Sequence, residues 1–218
     1  MFLMDLLLLL DKKSRGFNMA ESLVYEVQRE DGDIEIRKYT DHIMAHVDVD
    51  ASFDDAMSTG FRILANYIFG GNKKRSSIDM TTPVSEEKVE SERISMTMPV
   101  TEESLKQSEK IKMTTPVTEE KAGNIHRISF VMPAKYTIDT LPEPDDKKIK
   151  IEEVKEQRMA ALRFKGRVKE KLANEKIEEL EKWLLKEKLI PKSNFIVAQY
   201  NHPAVPGFLR RNEILVEI

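Results

Sequence analysis

One pattern constrains this chain more than any other: a set of alternating strands followed by an amphipathic helix occurs twice, in the same order. In the first pass, Val24 to Gln28 and the pair Ile34 and Ile36 flank the turn Asp31-Gly32-Asp33, as a β-hairpin requires. A third strand follows, with Ile43, Ala45, Val47 and Val49 on one face and Met44, His46, Asp48 and Asp50 on the other. Ser52 is a suitable N-cap, with Asp54 and Asp55 in the first turn of the helix it opens. Phe53, Met57, Phe61, Leu64 and Ile68 then recur at helical spacing until Gly70-Gly71 stops the run. In the second pass, Ile149, Ile151, Met159, Ala160, Leu162 and Phe164 fall opposite Ile34, Ile36, Met44, Ala45, Val47 and Val49. A second helix is predicted from about Val168 to Leu189, with Leu172, Ile177, Leu180, Trp183 and Leu184 inward and Pro191 closing it. Strands at Phe195 to Tyr200 and Glu213 to Ile218 complete the round. Two helices align easily by chance, but preceding strands in the same register do not, so the sequence predicts an α+β fold of duplicated β-β-α-β halves.

Between the halves runs a shorter repeat: Ile78 to Val84, Ile94 to Val100 and Ile111 to Val117, each containing Met-Thr-x-Pro-Val and each followed by a hydroxyl residue and two glutamates. Alternating Ile and Met predict a short strand, and the proline predicts that it stops or lies at an edge. The glutamate pairs read as solvated hairpin residues. A fourth relative, Phe130-Val131-Met132-Pro133, ends a strand beginning near Ile125. At the start of the chain the run Leu6 to Leu10 is about half the roughly 20 apolar residues needed to span a bilayer. Basic residues follow it instead of preceding it, against a secretory signal. We read residues 1–22 as a flexible extension, with Met19 as an alternative start, and 23–218 as one domain of two pseudo-symmetric halves, about 23–136 and 147–218.

The chemistry open to such a chain is narrowed by what it lacks. With no cysteine there are no disulfides, thiolate metal sites, thioether haem attachments or thiol nucleophiles, which fits a reducing cytoplasm. The 35 basic and 38 acidic side chains nearly balance, so charge gives no argument for nucleic acid. Glycine-rich phosphate loops, serine elbows and paired histidines at metal spacing are missing from the sequence.

The Met-Thr-Thr-Pro-Val repeats, the segment Ser129 to Tyr136 with Leu141-Pro142-Glu143-Pro144, and the closing Pro206-Gly207-Phe208-Leu209-Arg210-Arg211-Asn212-Glu213 together resemble the SOUL haem-binding family over residues 24–218. The resemblance implies a distorted antiparallel β-barrel flanked by two helices. It further implies a monomer that holds haem or a related tetrapyrrole non-covalently in an apolar groove beside a helix, for buffering or delivery. The groove-facing side of the first helix would include Met57, Phe61 and Ala65, with Arg62 placed to meet a propionate. The fold is similar to effector-binding domains, which leaves a small-molecule binder without haem as an alternative.

Individual residues leave choices open. His126 alternates in phase with Ile128, Phe130 and Met132 and is either a weak candidate for the haem iron or a strand-end histidine with its polar tip in water. His46 shares its face with Asp48 and Asp50; His42 and His202 lie at a strand start and in a loop. Lys73, Lys74 and Arg75 read as a solvated basic loop. Arg210, Arg211 and Glu213 read as ion pairs that pin the last hairpin. By resemblance to effector-binding relatives, Glu213 is also the candidate for a cavity hydrolase, a role that demands burial raising its pKa toward neutrality.

Overall fold

The computed structural model describes residues 21–73, 111, 114–122, 125–201 and 205–218. The Leu6 to Leu10 run, the first two Met-Thr-x-Pro elements, Lys74, Arg75 and His202 lie outside the described residues. Thirteen strands are described: β1 (Glu21–Ser22), β2 (Tyr25–Asp31), β3 (Ile34–Tyr39), β4 (His42–Asp50), β5 (Asn72–Lys73), β6 (Thr114–Thr115), β7 (Val117–Ala122), β8 (Ile125–Val131), β9 (Glu143–Pro144), β10 (Lys150–Val154), β11 (Gln157–Lys165), β12 (Ile196–Gln199) and β13 (Arg211–Glu217). Two helices, α1 (Phe53–Ile68) and α2 (Glu170–Lys186), accompany them.

Nine strands form one antiparallel sheet in the order β10-β4-β8-β7-β12-β13-β11-β3-β2, curled into a half-barrel with the helices on one face. The order is palindromic about the β7-β12 seam. Ile151 pairs with Ala45 on one side and Ile36 pairs with Ala160 on the other, which are the same two pattern positions exchanged between halves. Val47 opposite Ile128 is matched in the same way by Leu162 opposite Ile214. Each half therefore lends a strand to the other: β3 extends the sheet of the second half and β10 extends that of the first. Pro116 stands between β6 and β7 and separates a two-residue strand from a longer one, as its missing N–H requires. Glu21 and Ser22, read from sequence as part of the extension, pair in parallel with Thr114 and Thr115.

The helix face carries the apolar core. Ser52 caps α1 by accepting from the Asp55 N–H, and Gly70, at φ 126°, supplies the backbone that ends it. The buried seam of α1 is Phe53, Ala56, Gly60, Leu64, Tyr67 and Ile68. Burying each of its large side chains contributes on the order of 1.5–3 kcal/mol. The helical spacing predicts Met57 and Phe61 on this seam, but both are only partly buried. The displacement comes from the small residues: Gly60 lies so close to β8 that a Cβ there would meet Ile128 Cγ1 at 2.4 Å. Helix α2 packs through Ala173, Leu180 and Leu184, and Trp183 donates its Nε1–H to Asp31 at 2.8 Å, holding the tip of the first hairpin.

Alanine at position 60 is the better helix former by about 1 kcal/mol, yet the contact with Ile128 dominates. Gly60→Ala is expected to lower unfolding free energy in urea by about 1–3 kcal/mol through overpacking. Equal or higher stability would show that α1 does not depend on this close approach.

Candidate functional site

Strand alternation gives every interior strand two faces, and in β3, β11 and β13 consecutive residues on both are buried. The helix-free face carries Tyr39, Met159, Ala161, Ala198 and Leu215, with Leu23, Tyr25, Ile196 and Tyr200 packed against them. Set into this face is a charged cluster. Arg37 has no exposed surface and donates twice to Glu213, from Nη1 at 2.6 Å and Nη2 at 2.9 Å. Its Nε reaches Glu35 at 2.6 Å, its Nη1 also reaches the Tyr39 hydroxyl at 2.9 Å, and its guanidinium lies 4.3 Å from the centre of the Tyr25 ring. Glu213 in turn accepts from the Tyr200 hydroxyl at 2.6 Å and from Arg211 Nη2 at 2.7 Å. Arg163 completes the cluster at Glu35.

These partners decide the protonation of Glu213. Burial by itself would raise its pKa, but the hydrogen bonds and charge of Arg37, joined by the bonds from Tyr200 and Arg211, outweigh burial and hold the carboxyl below the ordinary glutamate value. The raised pKa that acid-base work would need is therefore not met: the glutamate is buried but saturated with cationic donors. Burial pushes the Tyr39 hydroxyl up to about 12 and raises that of Tyr200 as well, so both stay neutral donors. The ion pair between Arg211 and Glu213 expected from the sequence is present, within a larger cluster whose members Glu35, Arg37 and Arg163 carry no motif that marks them.

His126 is placed differently from the expectation of a polar tip in water. It is buried on the helix face, its Nδ1 lies 2.6 Å from Glu119 Oε1, and Phe53 meets its ring edge-on at 6.2 Å between centroids. Glu119 belongs to one of the glutamate pairs read as solvated. Because β7 is interior to the sheet, Glu119 must point at the helices, and it is buried there. Burial raises its pKa, with the His126 contact working against the rise.

The remaining candidates lie on α1. Met57, Phe61 and Ala65, one helical turn apart, form a partly buried flank beside the seam; Phe61 packs edge-on against Phe130 at 5.4 Å, and Arg62 is exposed next to it. Helix α1 thus brings Met57, Phe61, Arg62 and Ala65 to one side, while His126 sits beneath the helix start and Glu213 on the opposite face of the sheet. Among the described residues no group of three or more His, Asp or Glu side chains is arranged to hold a metal ion, and no helix is long and apolar enough to cross a membrane.

Residues 20–217 match the SOUL heme-binding protein family. The chain belongs to that family. Among solved structures, this SOUL chain is similar to the EcmrR C-terminal domain, at 8% identity and a TM-score of 0.52, covering 89% of this chain and 98% of the other, a likeness of fold. A hydrolase from Listeria innocua aligns at 10% identity and a TM-score of 0.49 over 87% of this chain and 93% of that one. No curated protein matches the sequence.

A carboxyl whose folded pKa is depressed stabilises the fold above its unfolded value and loses that contribution as pH falls. For Glu213 the loss begins below about 4.5, the ordinary value, and is complete only under the lower folded one. Glu213→Gln is expected to cost about 2–3 kcal/mol at neutral pH by leaving Arg37 with Glu35 as its remaining anionic partner, with a smaller penalty near about pH 3. Urea denaturation at both pH values measures this; an equal penalty at both would mean that the ionised carboxylate is not what stabilises the sheet.

Proposed function

We propose that this SOUL protein binds haem or a related tetrapyrrole non-covalently along the outer flank of α1, as a monomeric cytoplasmic protein that buffers or delivers the macrocycle. The observation that carries the reading is the partly buried stripe of Met57, Phe61 and Ala65 beside exposed Arg62, in a chain of this family. A flat porphyrin needs apolar contact over its plane and a cation for its propionates, and the stripe with Arg62 supplies both. The bound group would supply the iron; the chain's own part is to pack the ring against Phe61 and Met57 and to steady the anionic edge. Methionine suits such a surface because its thioether adapts to an irregular partner.

His126 is left out of iron coordination in this reading. Its Nδ1 is committed to Glu119, and its side chain is only 3% exposed. Binding then rests on packing and on the propionate contact, which makes exchange of the ligand easier than tight axial ligation would.

Titrating the protein with hemin is expected to give a saturable Soret shift. Phe61→Ala should weaken it roughly tenfold, the equivalent of about 1.4 kcal/mol of lost ring contact. Arg62→Glu should weaken it in a salt-dependent way, and His126→Gln should leave the Soret maximum in place. Absence of a saturable shift, or a shift of maximum in His126→Gln, would overturn the proposal.

A further inference from the structure

The helix-free face contains a cleft of about 130 Å³ lined by Leu23, Tyr25, Met44, Met159, Tyr200 and Arg211 among others. It straddles the seam between the halves, with β4 on one side and β11 and β13 on the other. A tetrapyrrole needs a pocket of several hundred cubic ångströms, so this cleft is too small for one. A dry cavity of roughly 150 Å³ accommodates one benzene-sized ring, which sets the scale of an occupant.

Charge sets its chemistry. Among the lining residues His42 is held neutral at ordinary pH by burial, and Tyr39 and Tyr200, whose hydroxyls burial pushes up, stay protonated. Arg211 is then the charged member of the lining, with its side chain 44% exposed and its guanidinium 4.5 Å from the Tyr200 ring centre. The cluster behind it does not cancel that charge. Three arginines, Arg37, Arg163 and Arg211, share two carboxylates, Glu35 and Glu213, and Arg37 already takes both oxygens of Glu213. The cluster as a whole carries one surplus positive charge, and Arg211, although its Nε and Nη2 meet Glu213 Oε1, is the arginine of the cluster that lines the cleft, beside aromatic and thioether walls. A neighbouring cavity of about 430 Å³ shares Leu23, His42 and Val131 but is lined by Asp41, Asp139 and Glu153, so an anion is favoured at the Arg211 end.

We infer that this cleft is a second ligand site, separate from the α1 flank, for a small single-ring aromatic monocarboxylate whose ring lies among Tyr25, Met44, Met159 and Tyr200 and whose carboxylate meets Arg211. The inference does not depend on haem binding, because the two sites lie on opposite faces of the sheet.

Benzoate, with neutral benzamide as the shape control, tests it by calorimetry and by amide chemical shifts. Benzoate is expected to bind saturably and about tenfold tighter than benzamide, as a charge-assisted hydrogen bond in a partly desolvated site provides. Arg211→Gln should reduce that ratio to near one. Met44→Trp, a partly buried position that fills the cleft from β4, should abolish binding of both while leaving the hemin titration unchanged. Shifts are expected at Tyr25, Met159 and Tyr200 and not along α1. Failure of benzoate to bind the wild-type protein, equal affinity for benzoate and benzamide, or benzoate binding that survives Met44→Trp would each overturn the site. Loss of hemin binding with benzoate binding intact would bear on the α1 proposal alone.

Discussion

A guanidinium with no exposed surface is tolerated in a folded protein only where anionic oxygens replace the water it has lost. Arg37 meets that condition through Glu213, a residue on a strand from the other half of the chain. Because β3 crosses over to pair with β11, and β13 lies on the far side of β11, the contact clamps three strands that come from both halves. The apolar helix face specifies little about partner strands, since Ile, Leu and Val are nearly interchangeable there. A bidentate pair, by contrast, is satisfied in one register only. The pair therefore supplies the registration that a palindromic sheet, whose halves resemble each other, most needs.

What the sequence disclosed follows from this division. The strand and helix periodicities on the helix face were legible: Ile34, Ile36, Ala45, Val47, Ala160 and Leu162 are all buried. The other face was not. Glu35 and Arg37 alternate with isoleucines, a pattern that signals a strand without marking these two for burial, yet β3 has four consecutive buried residues from Ile34. Alternation marks a solvent side only when one face of a sheet is free, and in this half-barrel it is not. Glu119 was misread for the same reason. Along α1 the large apolar residues drew the seam through Met57 and Phe61, whereas the actual seam runs through Ala56 and Gly60, because close approach of backbone to sheet selects small side chains. That displacement is what leaves the flank of α1 available. The family resemblance, carried by short motifs spread over nearly the whole chain, matched the family over residues 20–217.

The sheet thus serves as a partition. Its helix face is mainly apolar, with the His126 and Glu119 pair and Asn212 as buried polar residues, and α1 sets Met57 and Phe61 partly buried beside its seam. Its other face concentrates tyrosines and arginines around a small cleft. A large flat ligand and a small charged one make opposite demands on a protein surface, and the two faces separate those demands.

The clamp between Arg37 and Glu213 sets the register of the two halves, and a double-mutant cycle tests that role most directly. Unfolding free energies of Arg37→Met, Glu213→Leu and the combined variant should show a coupling of about 2 kcal/mol or more, with the double variant more stable than either single one because neither buried charge is then left short of the partner that replaces its lost water. Additive losses, with the double variant the least stable, would contradict the claim that this pair registers the two halves.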